Sequence, residues 1–326
     1  MRPDIERLKK LIKAFADPLE GVETIYHYTT AEGFKGIIES SEIWLTNTEF
    51  VNDLTECKAL QKEPCLFKKS DFAKNKYVQN AWEYILQTGN RDKNSYIASF
   101  SKDGDSLEQW RAYGNFCIGF EVGKLKKTGF YLFECVYDIA EIRRWILEKG
   151  KLPEWELDQP DKIEKRNDGY IDITRYCEER DAAAHTLLFN ASKKLKDKHY
   201  KNEKEVRLIA ISNHKWGYPN SPGLYKKDPP IHFRVHPVLK PYVKFFISDE
   251  GEQKVEEEGN KTEREVKEKR LKKEMNQKRA ILPINEVIVG PMVHQQEAMV
   301  ACKILLCEKG YEKTQVAASK IPYRGF

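Results

Sequence analysis

The sequence contains no apolar run long enough to cross a bilayer, which takes about 20 residues as a helix. The opening residues Met1-Arg2-Pro3-Asp4 are not followed by the apolar core of a secretory signal peptide. The hydrophobic fraction is 40% and the charged fraction is 33%. We therefore expect a soluble, cytoplasmic protein with no membrane partner.

Signatures of paired or metal-bound cysteine are also absent. The chain has seven cysteines, an odd number, and none of them forms a C-x-x-C pair. This pattern argues against a disulfide framework and against a zinc ribbon. We expect most of these cysteines to be small buried apolar residues, and we expect no bound metal.

The common nucleotide-binding motifs are missing as well. The sequence has no G-x-G-x-x-G motif, no Walker motif and no internal repeat. Short strands of mixed spacing between helices predict an α+β fold rather than a regular doubly wound sheet. A length of 326 residues allows one large domain or two modest ones. We expect residues 1–326 to form a single domain.

The excess of positive charge is small. A net charge of +5 and a pI of about 8.6 tolerate a nucleic-acid partner but do not demand one. Residues 249–279 are nearly all charged or polar, of both signs, with almost no apolar stripe. This composition predicts a charged helical or flexible insertion, and its many glutamates argue against a basic nucleic-acid arm.

Residues 26–30 are the first segment in which polar side chains lie at the end of a predicted strand. Strand-forming residues precede them, residues 31–40 carry apolar side chains at helical spacing, and residues 43–45 are extended again. His27 and Thr29 therefore lie where a strand meets a helix, a place that suits a phosphate or a ribose. His27 can hydrogen-bond a sugar hydroxyl there, and a structural histidine on a strand is the alternative.

Two later segments combine polar groups with strands in a similar way. The polar and aromatic residues of the first are Ser99, Ser101, Asp103, Asp105, Trp110, Arg111 and Tyr113. The second is a predicted strand over residues 201–211, on which Glu203, Glu205 and Arg207 share one face. Simpler interpretations are turn and cap residues, core aromatics, and a strand face turned to solvent. If the polar faces have a common use, the strands of His27 and Glu205 should lie side by side or face one cleft.

Four tracts follow one another in a characteristic order along nearly the whole chain, over roughly residues 24–310. They are Tyr26-His27-Tyr28-Thr29 with Ile43-Trp44-Leu45-Thr46-Asn47, Phe100-Ser101-x-x-x-Asp105-Ser106-x-x-x-Trp110-Arg111-x-Tyr113-Gly114, Glu203-x-Glu205-Val206-Arg207-Leu208, and Ile288-Val289-Gly290-Pro291. In this order and spacing they resemble the bacterial domain-of-unknown-function family 2971.

A looser similarity connects the same residues to ADP-ribosyltransferases of the His-Tyr-Glu type. His27 and Thr29 match the His-x-Thr of that family's first strand, Ser99 to Ser101 fall at its middle strand, and Glu205 falls on the late strand that carries the catalytic Glu. The resemblance implies an α+β fold with a split, mostly antiparallel sheet and surrounding helices. It also implies NAD as the substrate.

The chemistry implied by this resemblance is cleavage of the nicotinamide–ribose bond. Glu205 would be the catalytic carboxylate, because a carboxylate bonded to the ribose 2′-hydroxyl stabilises the oxocarbenium charge as it forms. His27 would bind the adenosine-side ribose, and Arg111 or Arg207 would bind the pyrophosphate. The candidates for stacking on nicotinamide are Tyr28, Trp44 and Tyr113. The NAD-binding residues predicted in this way are His27, Tyr28, Thr29, Trp44, Ser99, Ser101, Arg111, Tyr113 and Arg207.

Several functions remain open at this point. The resemblance favours a bacterial toxin or anti-phage defence effector that transfers ADP-ribose to RNA, DNA or protein and works with an antitoxin or a defence-system partner. An NAD glycohydrolase would use water as the acceptor instead. A metal-dependent nuclease would use the carboxylates of Asp103, Asp105, Glu203 and Glu205. A non-catalytic sensing or scaffold module is a further alternative.

Overall fold

The computed structural model describes residues 15, 19, 21–51, 59–68, 71, 75–88, 95–126, 131–152, 173–211, 231–235, 238–248 and 279–322. The strands are β1 (Thr24–Thr29), β2 (Ile43–Asn47), β3 (Ser95–Ser101), β4 (Phe116–Glu121), β5 (Tyr131–Glu134), β6 (Glu205–Ile211), β7 (His232–Val235), β8 (Leu239–Phe245), β9 (Ile247–Ser248), β10 (Arg279–Ala280), β11 (Ile284–Val289) and β12 (Gln315–Ala318). The α-helices are α1 (Ala31–Ser40), α2 (Lys76–Thr88), α3 (Leu107–Tyr113), α4 (Val122–Leu125), α5 (Ile139–Lys149), α6 (Ile173–Lys194) and α7 (Gln295–Glu308). Short 3₁₀ helices span Thr48–Phe50, Ala59–Lys62 and Lys198–Glu203.

A ten-stranded sheet organises the fold, with β12-β11-β4-β1-β3-β2-β8-β7 as its main path and with β6 joining β3 to β5. All pairings in this sheet are antiparallel except that of β11 with β12. The prediction of an α+β fold with a mostly antiparallel sheet is therefore confirmed.

The sheet forks at β3. β6 pairs with all seven residues of β3. β1 pairs with β3 at Ser101, through Tyr26, and β2 pairs with β3 at Tyr96 and Ile97. Because β6 occupies one edge of β3 throughout, β1 and β2 share the other edge and separate from each other between these points. The helix α1 connects the two diverging strands.

The main core lies on one face of this sheet. It buries alternate residues of β6, namely Val206, Leu208 and Ala210, against Phe34 and Ile38 of α1 and the inner side of α7. α1 begins where the Thr30 hydroxyl accepts a hydrogen bond from the Gly33 N–H at 3.2 Å, and it ends at Ser41 in the left-handed region. A second apolar cluster lies among α2, α5 and α6, away from the first.

Two predictions about the chain need comment. The predicted strand over 201–211 begins only at Glu205, because Asp197 caps a 3₁₀ helix that holds Glu203 and ends at Lys204 in the left-handed region. The predicted insertion 249–279 lies outside the described residues, except that the backbone of Arg279 pairs in β10. Within the described ranges, no helix is both long enough and apolar enough to cross a membrane.

Candidate functional site

The fork encloses a cleft of about 710 Å³, which we call the fork cleft. Its walls come from β1, α1, β2, β3 and the end of α3, with further side chains from β7, β8 and the segment after α6. The polar and aromatic residues that line it include His27, Thr29, Trp44, Ser99, Tyr113, Lys196, Arg234 and Lys240. A cleft of this volume lies in the range of small-molecule and cofactor sites, about 300–1,000 Å³.

His27 lies where β1 leaves β3, half-buried against the ring of Phe100. Its Nδ1 is 2.9 Å from the carbonyl oxygen of Ser99. Because a carbonyl oxygen only accepts, Nδ1 carries the proton in this bond. Burial lowers the pKa of His27, and the bond to Ser99 opposes that shift only in part. The ring is therefore neutral at pH 7, and its Nε2 is a hydrogen-bond acceptor.

Thr29 and Ser99, two of the predicted NAD-binding residues, also line the fork cleft. Thr29 packs tightly on the start of α1, since a Cβ at Gly33 would lie 2.0 Å from the Thr29 hydroxyl oxygen. Ser99 is exposed on the edge of β3 between the diverging strands. His27 and Thr29, at alternate positions of β1, form one polar wall, whereas Ser99 shares the sheet face of Ser101 and Glu205.

Tyr113 ends α3 at the border of the fork cleft and is 39% exposed. Its hydroxyl donates to the Glu203 carboxylate at 3.2 Å. Arg111, on the same helix, is exposed but does not line the cleft.

The remaining predicted residues of this region serve the scaffold. Tyr28 is buried against Trp110, donates to the Asp103 carbonyl and accepts from the Ser106 N–H. Ser101 is buried, and its hydroxyl donates to the Glu203 carbonyl at 2.7 Å. Neither side chain reaches the fork cleft, which leaves Trp44 and Tyr113 as the lining aromatics among the stacking candidates.

Glu205 belongs to a buried charge cluster that consists of Lys196, Glu203, Glu205 and Arg207. Glu205 is 2% exposed, and its oxygens accept from Arg207 Nε at 3.1 Å, Arg207 Nη2 at 3.2 Å and Lys196 Nζ at 2.5 Å. Lys196 also donates to Glu203 at 2.5 Å. Burial raises the pKa of Glu205, but the charges of Arg207 and Lys196 outweigh it and hold that pKa well below its usual value. The carboxylate is ionised at neutral pH.

The charged face of β6 is therefore not a solvent-exposed face. The last turn of α6 covers it, and Arg207 Nη1 donates to the Lys193 carbonyl there. In this cluster Lys196 lines the fork cleft, whereas Glu205 and Arg207 lie behind it.

His27 and Glu205 point to opposite faces of the sheet. Paired residues of antiparallel strands share a face, and successive residues alternate. Tyr26 pairs with Ser101, and Ser101 pairs with Glu205, so His27, next to Tyr26, points the other way. The expectation that the two strands would lie side by side or face one cleft is wrong, because β3 separates them and its register sets this alternation. Since the fork opens through the sheet, its walls still combine His27 from one face with Tyr113 and Lys196 from the other.

The wall formed by β2, β8 and β7 was largely missed by sequence reasoning. Trp44 stacks on Tyr242 with ring centroids 4.4 Å apart, and Arg234 Nη2 donates to the Thr46 hydroxyl at 2.8 Å. Of this wall, the sequence singled out Trp44 alone. Lys196 was missed too, although its place in the run Lys193-Lys194-Leu195-Lys196 at a helix end was visible.

The four carboxylates of the nuclease alternative have other partners. Asp103 pairs with Lys204 at 3.0 Å. Asp105 accepts from Trp110 Nε1 at 2.9 Å and from the Lys320 N–H at 2.8 Å. Glu203 and Glu205 share Lys196. Among the residues that the structure describes, no group of three His, Cys, Asp or Glu side chains is placed to hold a metal ion.

Comparison with known proteins assigns no family to this arrangement. No protein-family model, curated protein or solved structure matches the chain.

Proposed function

We propose that this chain is an NAD-consuming, ADP-ribosyltransferase-like enzyme that binds NAD in the fork cleft and cleaves the nicotinamide–ribose bond. The observation that supports this most is the neutral His27 between the diverging strands, with Nδ1 held by Ser99 and Nε2 available as an acceptor. In this role the enzyme is a toxin or defence effector that passes ADP-ribose to a macromolecule.

The polar wall supplies the contacts that a ribose needs. His27 Nε2 accepts a hydrogen bond from a ribose hydroxyl, and Thr29 lies on the same wall. Ser99 lines the cleft from the other face of the sheet. Tyr113, across the cleft, offers an aromatic ring at its border for the nicotinamide. Trp44 lies on the β2 wall, apart from this group.

Glu205 supplies the negative charge that stabilises the oxocarbenium. Arg207 and Lys196 keep this carboxylate ionised, but they also shield its charge. Lys196 therefore has to move away from Glu205 before the ribose can approach. A pyrophosphate in the cleft would attract the Lys196 ammonium, since that side chain already lines the wall. Arg207 then remains as the cation that keeps Glu205 ionised.

Release of nicotinamide from NAD by the purified protein tests this function. We expect release by the wild type, its loss in Glu205→Gln, and a smaller effect of Glu203→Gln, which is the matched control from the same cluster. Each variant is assayed well below its melting temperature. Full activity in Glu205→Gln would overturn the assignment of the catalytic carboxylate.

A second candidate function is a non-catalytic nucleotide-binding module. The observation that favours it is the pairing of Glu205 with two cations at 2% exposure. A buried, hydrogen-bonded ion pair is a common structural element as well as a catalytic one. Binding of NAD without release of nicotinamide, by the protein alone and with RNA, DNA or lysate as acceptor, would identify this alternative.

A further inference from the structure

Three strands of one fork arm present aromatic and basic side chains on a single face. β2 pairs with β8 so that Trp44 lies opposite Lys244 and Thr46 opposite Tyr242. β8 pairs with β7 so that Tyr242 lies opposite His232 and Lys240 opposite Arg234. Because directly paired residues share a face, these side chains form one surface. We call this surface the aromatic–basic face, and its residues are Trp44, Lys240, Tyr242, Lys244, His232 and Arg234.

The rings of this face form a continuous stack. The Trp44 and Tyr242 rings are 4.4 Å apart at 26°, and the Tyr242 and His232 rings are 5.4 Å apart at 31°. Tyr242 is buried in the middle, whereas Trp44 is 44% exposed at the fork cleft. Trp44 is therefore held in a fixed orientation by the ring behind it and offers surface to a planar ligand.

Two cations of this face line the same cleft. Arg234 and Lys240 both line the fork cleft, and neither forms an ion pair within the described ranges. Arg234 Nη2 is anchored on Thr46, and its buried Nε has no hydrogen-bond acceptor among the residues that the structure describes. A guanidinium at the wall of a cleft suits a phosphate oxygen.

The acidic groups of the cleft are mostly compensated. Glu42 contacts Lys244 at 3.3 Å and accepts from Trp44 Nε1 at 3.2 Å, while Glu39 pairs with Lys35 at 2.5 Å. Glu32 is in the first turn of α1 and not on β2, β7 or β8. The local charge on the aromatic–basic face is therefore positive.

We propose that the aromatic–basic face binds single-stranded nucleic acid, with a base stacked on Trp44 and backbone phosphates on Arg234 and Lys240. Every base has a flat face for stacking, and cations interleaved with aromatic rings are the usual means of holding an unpaired strand. The proposal rests on the proposed function and deepens it, because it makes the acceptor of ADP-ribose a nucleic acid. It excludes duplex as the preferred ligand, since the bases of a duplex are stacked on each other.

Fluorescence anisotropy with labelled single-stranded RNA, single-stranded DNA and duplex DNA, in the absence of NAD, tests this proposal. We expect at least one single strand to bind more tightly than duplex. Trp44→Ala should weaken binding about tenfold, and Trp44→Phe should recover most of it. The double variant Arg234→Ala/Lys240→Ala should weaken binding and lower the slope of log affinity against log salt by about 1.4.

The matched control removes two lysines from another part of the surface, Lys303→Ala/Lys313→Ala, with the same change in charge. Thermal melts show that each variant is folded. The proposal is overturned if the control loses as much affinity as Arg234→Ala/Lys240→Ala, if duplex binds at least as tightly as both single strands, or if saturating NAD displaces the strand completely. If a strand binds but no nicotinamide is released, the proposed NAD chemistry is wrong and the proposal for the aromatic–basic face stands. If nicotinamide is released but no strand binds, the proposal for the aromatic–basic face is wrong and the NAD chemistry stands.

Discussion

Glu205 is ionised and His27 is neutral in the fold, and the difference follows from their neighbours. Both side chains lose hydration in the fold, which disfavours the charged form of each. Glu205 has Arg207 and Lys196 to compensate for that loss, so its carboxylate stays ionised. For His27, burial outweighs the hydrogen bond to the Ser99 carbonyl, so its imidazole stays uncharged. The site thus combines a neutral acceptor with a buried negative charge.

Glu205→Gln should lower the free energy of unfolding at pH 7 by about 3–5 kcal/mol, because it leaves Arg207 and part of the charge of Lys196 buried without a counter-charge. Urea unfolding of the variant and the wild type measures this cost. Glu203→Gln should cost less, since Lys196 then keeps Glu205 as a partner. Equal stability of Glu205→Gln and wild type would show that the carboxylate is not engaged as described.

The same carboxylate gives a pH dependence of definite sign. The folded pKa of Glu205 is depressed, so its stabilisation is present above the unfolded pKa of about 4.3 and is lost as the pH falls through the folded pKa. The difference in stability between wild type and Glu205→Gln should therefore narrow on acidification below about pH 4.3.

At the scale of the element, the unit β1–α1–β2 was predictable because its signals are local. Strand formers and apolar residues at helical spacing lie within residues 24–47. The strand over 201–211 was predicted too long, because Glu203, Glu205 and Arg207 at alternate positions suggested one continuous charged face. The left-handed Lys204, which ends the 3₁₀ helix just before β6, has no such signal in the sequence. The last turn of α6 covers the charged face of β6, and nothing in the sequence of the strand predicts this contact.

Substitutions of two adjacent residues of α3 should differ in their effect on the free energy of unfolding. Trp110 is buried beside Tyr28, with Nε1 bonded to Asp105, so Trp110→Ala should cost about 3–5 kcal/mol. Arg111 is exposed, so Arg111→Ala should change the free energy of unfolding by no more than about 0.5 kcal/mol. Chemical denaturation of both variants checks the contrast. A large loss of stability in Arg111→Ala would assign that side chain a structural role.

At the scale of the whole molecule, the relation among strands decides the site. The sequence indicated which segments are strands and which faces are polar, but it could not show that β3 lies between β1 and β6. The fork itself depends on two strands sharing one edge of β3, and the wall with Arg234 and Lys240 reaches the cleft only through β2. These placements are set by register between segments roughly 50 to 200 residues apart, which periodicity within one segment cannot reveal.

Isothermal titration of NAD into the wild type and His27→Ala is the most direct measurement of the central claim, that the fork cleft binds NAD through a neutral His27. We expect the wild type to bind and His27→Ala to bind about tenfold more weakly, because a buried hydrogen bond to a ribose hydroxyl contributes about 1 kcal/mol or more. Wild-type affinity should fall on acidification below about pH 6.5, as protonation of His27 removes the acceptor, while the affinity of His27→Ala should not show this fall. Equal affinities and equal pH profiles of the two proteins would contradict the account.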